Sequence, residues 1–296
     1  MALVCACAVT LALIAELSVR WFGLTDFPVY EANNRIGYIP AANQQGSFLG
    51  KNDWQFNSLH MGAGEFLPTA EKKDILLIGD SIVLGGNPVK NQDKLGPQYE
   101  RELNSSGVES KVWPISAGSW ALLNELAWVR ENPRVMESVD EVVFVLNSAD
   151  FDLASSWACE FTHPRRRPDV ALWYLFNKYV YAFEKCGPPP GDLLVPHRDL
   201  EKDVREYMDA YSAKTRFVLY PDFSEAESEA QRTVKFERAH KLLQGVSADV
   251  QDFRVSEWRA DASIYRDGIH PTVYGSELLA RFLADHSLSS GVHSQP

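Results

Sequence analysis

The sequence predicts an α/β fold, a three-layer α/β/α sandwich around a parallel sheet of about five strands. Three observations predict it. Short apolar runs rich in β-branched and aromatic residues recur along the chain, as strands covered by helices require. Segments with helical spacing of apolar residues separate these runs. Strand and helix alternate throughout, an order that implies parallel pairing, right-handed crossovers and helices on both faces of the sheet.

The strands are expected at 74–79 (DILLIG), 111–116 (KVWPIS), 141–147 (EVVFVLN), 215–220 (TRFVLY) and 250–255 (VQDFRV). After the first, DKLGPQYERELNSSG reads as a helix ending on the C-cap candidate Gly107. SWALLNELAWVREN starts at Ser119 and stops before Pro133. DLEKDVREYMDAYSAK follows, then SEAESEAQRTVKFERAHKLLQG, which opens with the capping-box pattern Ser224-x-x-Glu227 and closes on Gly245. The last helix, PTVYGSELLARFLADH, carries Leu278, Leu279, Phe282 and Leu283 on one face.

These elements place the sandwich at 72–286, with an insertion at 151–196. The insertion combines WACEFTHPRRRPD, the aromatic run LWYLFNKYVYAF and CGPPPG, and is expected to be partly helical. Its aromatics, Trp173 to Phe183, are expected to pack within it, and Arg165 to Arg167 read as solvated charge. Residues 25–71, rich in Asn, Gln, Gly and aromatics, form an irregular lead-in of turns and short extended pieces. The tail 287–296, SLSSGVHSQP, is expected to be disordered.

At 296 residues and a net charge of −11, the chain can bury a full core but offers no broad cationic surface, which excludes general nucleic-acid binding. Residues 1–24 open with the uncharged run Ala2 to Ala15, and with Leu17 to Leu24 the segment approaches the roughly 20 residues a membrane span needs. A signal anchor, a cleaved signal peptide and a buried helix all fit this run. The anchor is preferred because no small-x-small cleavage site follows it. Glu16 and Arg20 interrupt it, and orientation is poorly encoded. Cys5 and Cys7 lie inside the run, whereas Cys159 and Cys186 bracket part of the insertion and would pair if the domain is exported. No Cys or His has metal-ligand spacing, and neither a metal nor an organic cofactor is expected.

The chemistry concentrates at two places. In ILLIGDSIVLGG, Ser81 follows the first strand immediately, at the carboxyl edge where parallel sheets bind ligands. A hydroxyl at that turn is either an N-cap or an exposed nucleophile beside free N–H groups. In YRDGIHPTVYG, Asp267 and His270 stand three apart before the last helix, either a turn Asp with a His before Pro271 at the helix start or a base with the acid that fixes its tautomer.

Together, GDS after the first central strand and DGIHP before the last helix resemble the SGNH, or GDSL-type, hydrolases. These are serine esterases on a flavodoxin-like sandwich. The resemblance implies Ser81 as nucleophile, His270 as general base and Asp267 as its orienting acid. It further implies an oxyanion hole from the Ser81 backbone, a Gly after the second strand and an Asn after the third. ISAGSW offers Gly118, with Ser116 as rival, and LNSADF puts Ala149 where Asn is expected, leaving Asn147 two residues away as the candidate donor. The N-terminal anchor and the lead-in are similar to membrane-tethered bacterial members associated with envelope polysaccharide. The expectation is a single-pass inner-membrane protein facing the periplasm, hydrolysing an ester such as an O-acetyl group on a glycan. The alternatives are an O-acyltransferase using the same triad and a noncatalytic glycan-binding or assembly protein on the same scaffold.

Overall fold

A computed structural model describes residues 1–181, 186–227, 234–246, 249–253 and 262–291. The helix α1 (Ala2–Trp21) leads into two antiparallel hairpins, β1 (Tyr30–Asn33) with β2 (Gly37–Pro40) and β3 (Gln44–Phe48) with β4 (Asn52–Phe56). The lead-in is therefore more regular than its composition predicts. β5 (Lys73–Gly79), β6 (Ser110–Ser116), β7 (Glu141–Leu146), β8 (Thr215–Leu219) and β9 (Val250–Asp252) pair in parallel in the order β6-β5-β7-β8-β9.

Helices cover both faces. Side-chain alternation sends Leu76, Ile78, Phe144, Leu146, Phe217 and Leu219 to one face. There they meet α4 (Leu122–Glu131), α7 (Leu200–Tyr211) and α9 (Val234–Gln244). Ile75, Leu77, Val143, Val145 and Val218 point to the other, against α2 (Ser81–Leu84), α3 (Leu95–Ser105) and α10 (Val273–Gly291). α5 (Pro133–Ser138) closes the α4 side before β7.

Helix starts differ from the sequence reading where local hydrogen bonds decide. α4 begins at Leu122, because Ser119 takes a φ of 60° and the Asn124 side chain accepts the Ala121 N–H at 3.0 Å. The capping box lies two residues earlier than predicted, before α8 (Phe223–Glu227). Asp222 Oδ1 accepts the Glu225 N–H at 2.9 Å, and Glu225 Oε2 accepts the Asp222 N–H at 3.1 Å. Ser224 only donates to Asp222 at 2.7 Å.

The expected disordered tail is also corrected: α10 continues to Gly291, and Ser287 is buried. Its hydroxyl lies 2.6 Å from the Tyr99 hydroxyl and accepts Arg216 Nη2 at 2.7 Å. Residues 292–296 lie outside the described residues, as do 254 and 255 of the fifth predicted strand. Arg216 itself is buried in the sheet, donating to Glu141 Oε1 at 2.6 Å, the Tyr99 hydroxyl at 2.9 Å and the Leu283 carbonyl at 3.0 Å.

The insertion holds α6 (Ala171–Leu175), a π-helical turn (Phe176–Tyr181) and a disulfide between Cys159 and Cys186, whose Cα atoms are 5.5 Å apart. Its aromatics pack in part: Tyr174 is buried against Phe27 and Phe161, and Trp173, Phe176 and Tyr181 stack in sequence yet stay exposed, as does Tyr179, while 182–185 lie outside the described residues. Two of the three arginines are engaged. Arg165 pairs with Glu160 at 2.9 Å and stacks over Trp157, Arg167 pairs with Asp26 at 2.8 Å, and Arg166 remains largely solvated.

The Arg216 network yields a stability prediction. Removing one partner leaves the other charge buried, so Arg216→Ala should lower unfolding free energy by about 3–5 kcal/mol in denaturant titrations. Burial opposes the charge on Glu141, but Arg216 and Lys73 outweigh it and hold the carboxyl below its ordinary range. That contribution is present above the unfolded pKa and lost as pH falls through the folded one. The gap between wild type and variant should therefore narrow on acidification.

Candidate active site

The site is built at the carboxyl edge of β5. Gly79 is required there, since a Cβ would come within 2.5 Å of Val83 Cγ2 and 2.8 Å of the Val145 carbonyl. Asp80 caps α2, its Oδ1 accepting the Ile82 N–H at 2.8 Å, and Ser81 is the first helical residue. α2 ends after one turn on Gly85, which takes a left-handed φ of 72°.

A loop before α10 supplies the other two groups. It is pinned by the Tyr265–Pro271 bridge, the Arg266 N–H on the His270 carbonyl at 2.8 Å and the Tyr265 hydroxyl on the Pro221 carbonyl at 2.8 Å. Its close approach to α10 requires Gly275, because a Cβ there would meet the Ile264 carbonyl at 2.2 Å.

The two pieces meet across 189 residues of sequence: Ser81 Oγ lies 2.9 Å from His270 Nε2. His270 Nδ1 lies 2.9 Å from each oxygen of Asp267. An acceptor-only carboxylate at Nδ1 selects the tautomer protonated there, leaving Nε2 to accept the serine hydroxyl. Desolvation works against the charge on Asp267. The N–H groups of His270 and Ile269, together with the His270 ring, outweigh it and hold the carboxyl down at about 2. The imidazole is thus oriented by a group that stays ionised, and the arrangement suits activation of the Ser81 hydroxyl.

Ser81 Oγ also lies 3.3 Å from Asp80 Oδ2, which opens a second network pointing inward. Asn147 donates its amide to Asp80 Oδ2 at 3.1 Å and to both oxygens of Asp150 at 3.0 Å, while its own Oδ1 accepts the Ala149 N–H at 2.8 Å. This corrects the expectation for Asn147. It does reach the Ser81 turn, but its donors are taken up by two carboxyl groups instead of being open to a substrate.

Glu125, on α4, is fully buried, and neither of its carboxyl oxygens has a hydrogen-bond partner among the described residues. Burial pushes Glu125, Asp150 and Asp80 up, and mutual repulsion with Asp80 raises the first two further. Such a group is held protonated in preference to a set of unpaired buried charges.

Gly118 lies in the loop after β6, its carbonyl accepting the Tyr38 hydroxyl at 2.8 Å. Ser116, its rival, is buried within β6. Two groups of this region make contacts that the sequence reading assigned to neither. His163 stacks on Tyr38 with ring centroids 3.8 Å apart, and burial pushes its ring down to about 4 against the opposing effect of the Gly118 backbone. Asn124 donates to the carbonyls of Ile36 at 2.6 Å and Ser155 at 2.8 Å, fastening lead-in, α4 and insertion together. Gly37 permits this contact, since a Cβ would sit 2.1 Å from the Ser155 carbonyl. No spacing signal marks His163 or Asn124, because their partners are remote in sequence.

No protein-family model and no curated protein matches the chain. Solved structures do. They include a lipase/acylhydrolase from Enterococcus faecalis, at 18% identity over 72% of this chain and 94% of that one, with a TM-score of 0.45. An acetyl xylan esterase, AlAXEase, is similar at 15% identity over 73% and 98% of the two chains, with a TM-score of 0.44. The psychrotrophic esterase EstA from Pseudoalteromonas sp. is similar at 12% identity over 75% and 100%, with a TM-score of 0.43.

Because Glu125 has its pKa raised, the folded chain binds its proton more tightly than the unfolded one. Stability is therefore lost as pH rises from the unfolded carboxyl range through the folded value. Glu125→Gln removes that titration at nearly constant shape. Thermal melts across pH should show the variant gaining on wild type as pH rises; parallel curves would count against a buried proton on Glu125.

Proposed function

We propose that the chain is a membrane-anchored serine esterase. The observation that carries this reading is the relay from Asp267 through His270 to Ser81, with 2.9 Å contacts at both junctions. In it, His270 Nε2 takes the Ser81 proton as Oγ attacks the acyl carbonyl. The tetrahedral oxyanion is met by the backbone N–H groups of Ser81 and Gly118. Collapse expels the alcohol, which receives the proton from His270, and water repeats the sequence on the acyl-enzyme to release the acid. Asp267 stays charged and keeps the imidazole in the productive tautomer. Asn147 acts one layer back, holding Asp80 under the turn that presents Ser81.

The substrate proposed is an ester carried on an envelope glycan, an O-acetyl group being the expected acyl. The relay supports this by its openness: the His270 and Asp267 side chains are 30% and 48% exposed, so an ester on a bulky polymer can approach without being engulfed. The Cys159–Cys186 disulfide supports an oxidising compartment. α1 supports an anchor, being 20 residues long, with a mean hydropathy of 2.3 over its most apolar 18 residues and none of its residues fully buried. Its last turns are bound to the domain through Glu16 and Arg20, which favours retention of the helix over its removal.

A fluorophosphonate probe tests the reading directly. Wild type should be labelled and Ser81→Ala should not, while ester turnover should fall by several orders of magnitude, about 10⁶ in a fully coupled triad. Asp267→Asn, which permits the wrong tautomer, should cost roughly 10⁴ in turnover with the fold intact. An unlabelled wild type of normal thermal stability would move the chain to the noncatalytic, glycan-binding alternative.

A further inference from the structure

We propose that the exposed aromatic face of the insertion around Trp173 is seated in the surface of the same bilayer that holds α1. The proposal rests on the reading of α1 as a membrane helix, and it begins from length. At about 1.5 Å per residue, the uncharged stretch 2–15 spans roughly 21 Å, short of the roughly 30 Å of a bilayer's hydrocarbon core. Read as the span, α1 supplies the remainder from Glu16 to Trp21, the part of it that is fastened to the domain.

The fastening makes this depth tolerable. Glu16 accepts Arg20 Nε at 2.7 Å and the N–H groups of Ala171 and Leu172 at 2.9 Å each, so it caps the first turn of α6. Arg20 also donates to the carbonyls of Pro168 at 3.2 Å and Asp169 at 2.7 Å. Both charges within the apolar helix are thus paired and turned toward protein, as charges at membrane depth need to be. The same bonds fix α6 at the level of Glu16, which the length argument puts about 7 Å inside the edge that Trp21 marks.

At that level the domain presents apolar surface. Val170, Trp173 and Phe176 are 54%, 64% and 44% exposed, and Tyr179 and Val180 on the π-helical turn are 66% and 68% exposed. On α1 and just beyond, Trp21 and Phe22 are 86% and 62% exposed. Left in water, a cluster of this kind is unfavourable. Trp and Tyr are the residues whose amphipathic rings settle at the headgroup boundary. A bilayer is the occupant favoured, because it is already present at this depth and needs no second binding event.

Depth can be read without any reference to catalysis. In the full chain carrying Cys5→Ser and Cys7→Ser, single cysteines are introduced by Trp173→Cys, Phe176→Cys and Val180→Cys and labelled with an NBD fluorophore. The variants are reconstituted in phosphatidylcholine vesicles with and without brominated phosphatidylcholine. Leu11→Cys reports the span, and Leu67→Cys, near the amino end of β5, reports solvent. All five positions are exposed, so labelling sacrifices no core packing, and a thermal melt checks each fold. The expected result is blue-shifted, bromolipid-quenched emission at 173, 176 and 180, as at 11 and unlike 67. Quenching at 11 with water-like emission at the three insertion positions overturns the proposal and leaves the anchor standing. A blue shift there without lipid quenching also overturns it, in favour of a protein or second copy covering the face. No quenching even at 11 overturns the proposal together with the anchor. None of these outcomes depends on whether Ser81 turns over an ester.

Discussion

The structure around the Ser81 turn depends on how Asp80 is held. Its carboxyl caps α2 through the Ile82 N–H, lies beside the Ser81 hydroxyl and receives the Asn147 amide from the neighbouring strand. Caps of this kind ordinarily sit in water and cost little. Here the cap is buried in a low-dielectric interior beside two more carboxyl groups, so the turn is stable only while Asn147 separates them and protons neutralise the rest. The geometry that presents the serine and the electrostatics of the core behind it are one problem.

This coupling explains why part of the site could be read from sequence and part could not. Ser81, Asp267 and His270 are legible because each sits in a short local pattern: a hydroxyl where an apolar strand ends, and an acid three residues before a base at a helix entry. The strands are legible for a similar reason, since β-branched runs such as EVVFVL leave few other places to be buried. The role of Asn147 is a matter of register across β5 and β7. Strand alternation puts its side chain on the correct face and Asp150 is local to it, but nothing local reveals that Asp80 waits there as well.

The misread segments share another cause. Ser287 looks like part of a low-complexity polar tail, yet Arg216, buried on the sheet face that α10 covers, needs a hydroxyl at that point. The aromatic run of the insertion looks fully packed because composition records how apolar a segment is, not which side of it is covered: Tyr174 is buried, whereas Trp173 and Tyr179 are exposed. For Ser287 the deciding partner lies more than 70 residues away in sequence.

The contact between Glu16 and α6 also bears on how the molecule meets its surroundings. Many membrane-tethered domains hang from a flexible stalk and sweep a hemisphere whose radius is set by the stalk. This chain has almost no slack. Two residues beyond α1, the Gly23 carbonyl already accepts the Leu49 N–H at 3.1 Å, and Asp26 is clamped by Arg167 at 2.8 Å. With α1 in a bilayer, the serine is held at one height and one azimuth. Encounter then becomes a search in the plane of the membrane, and any substrate has to be brought to that height by its own carrier.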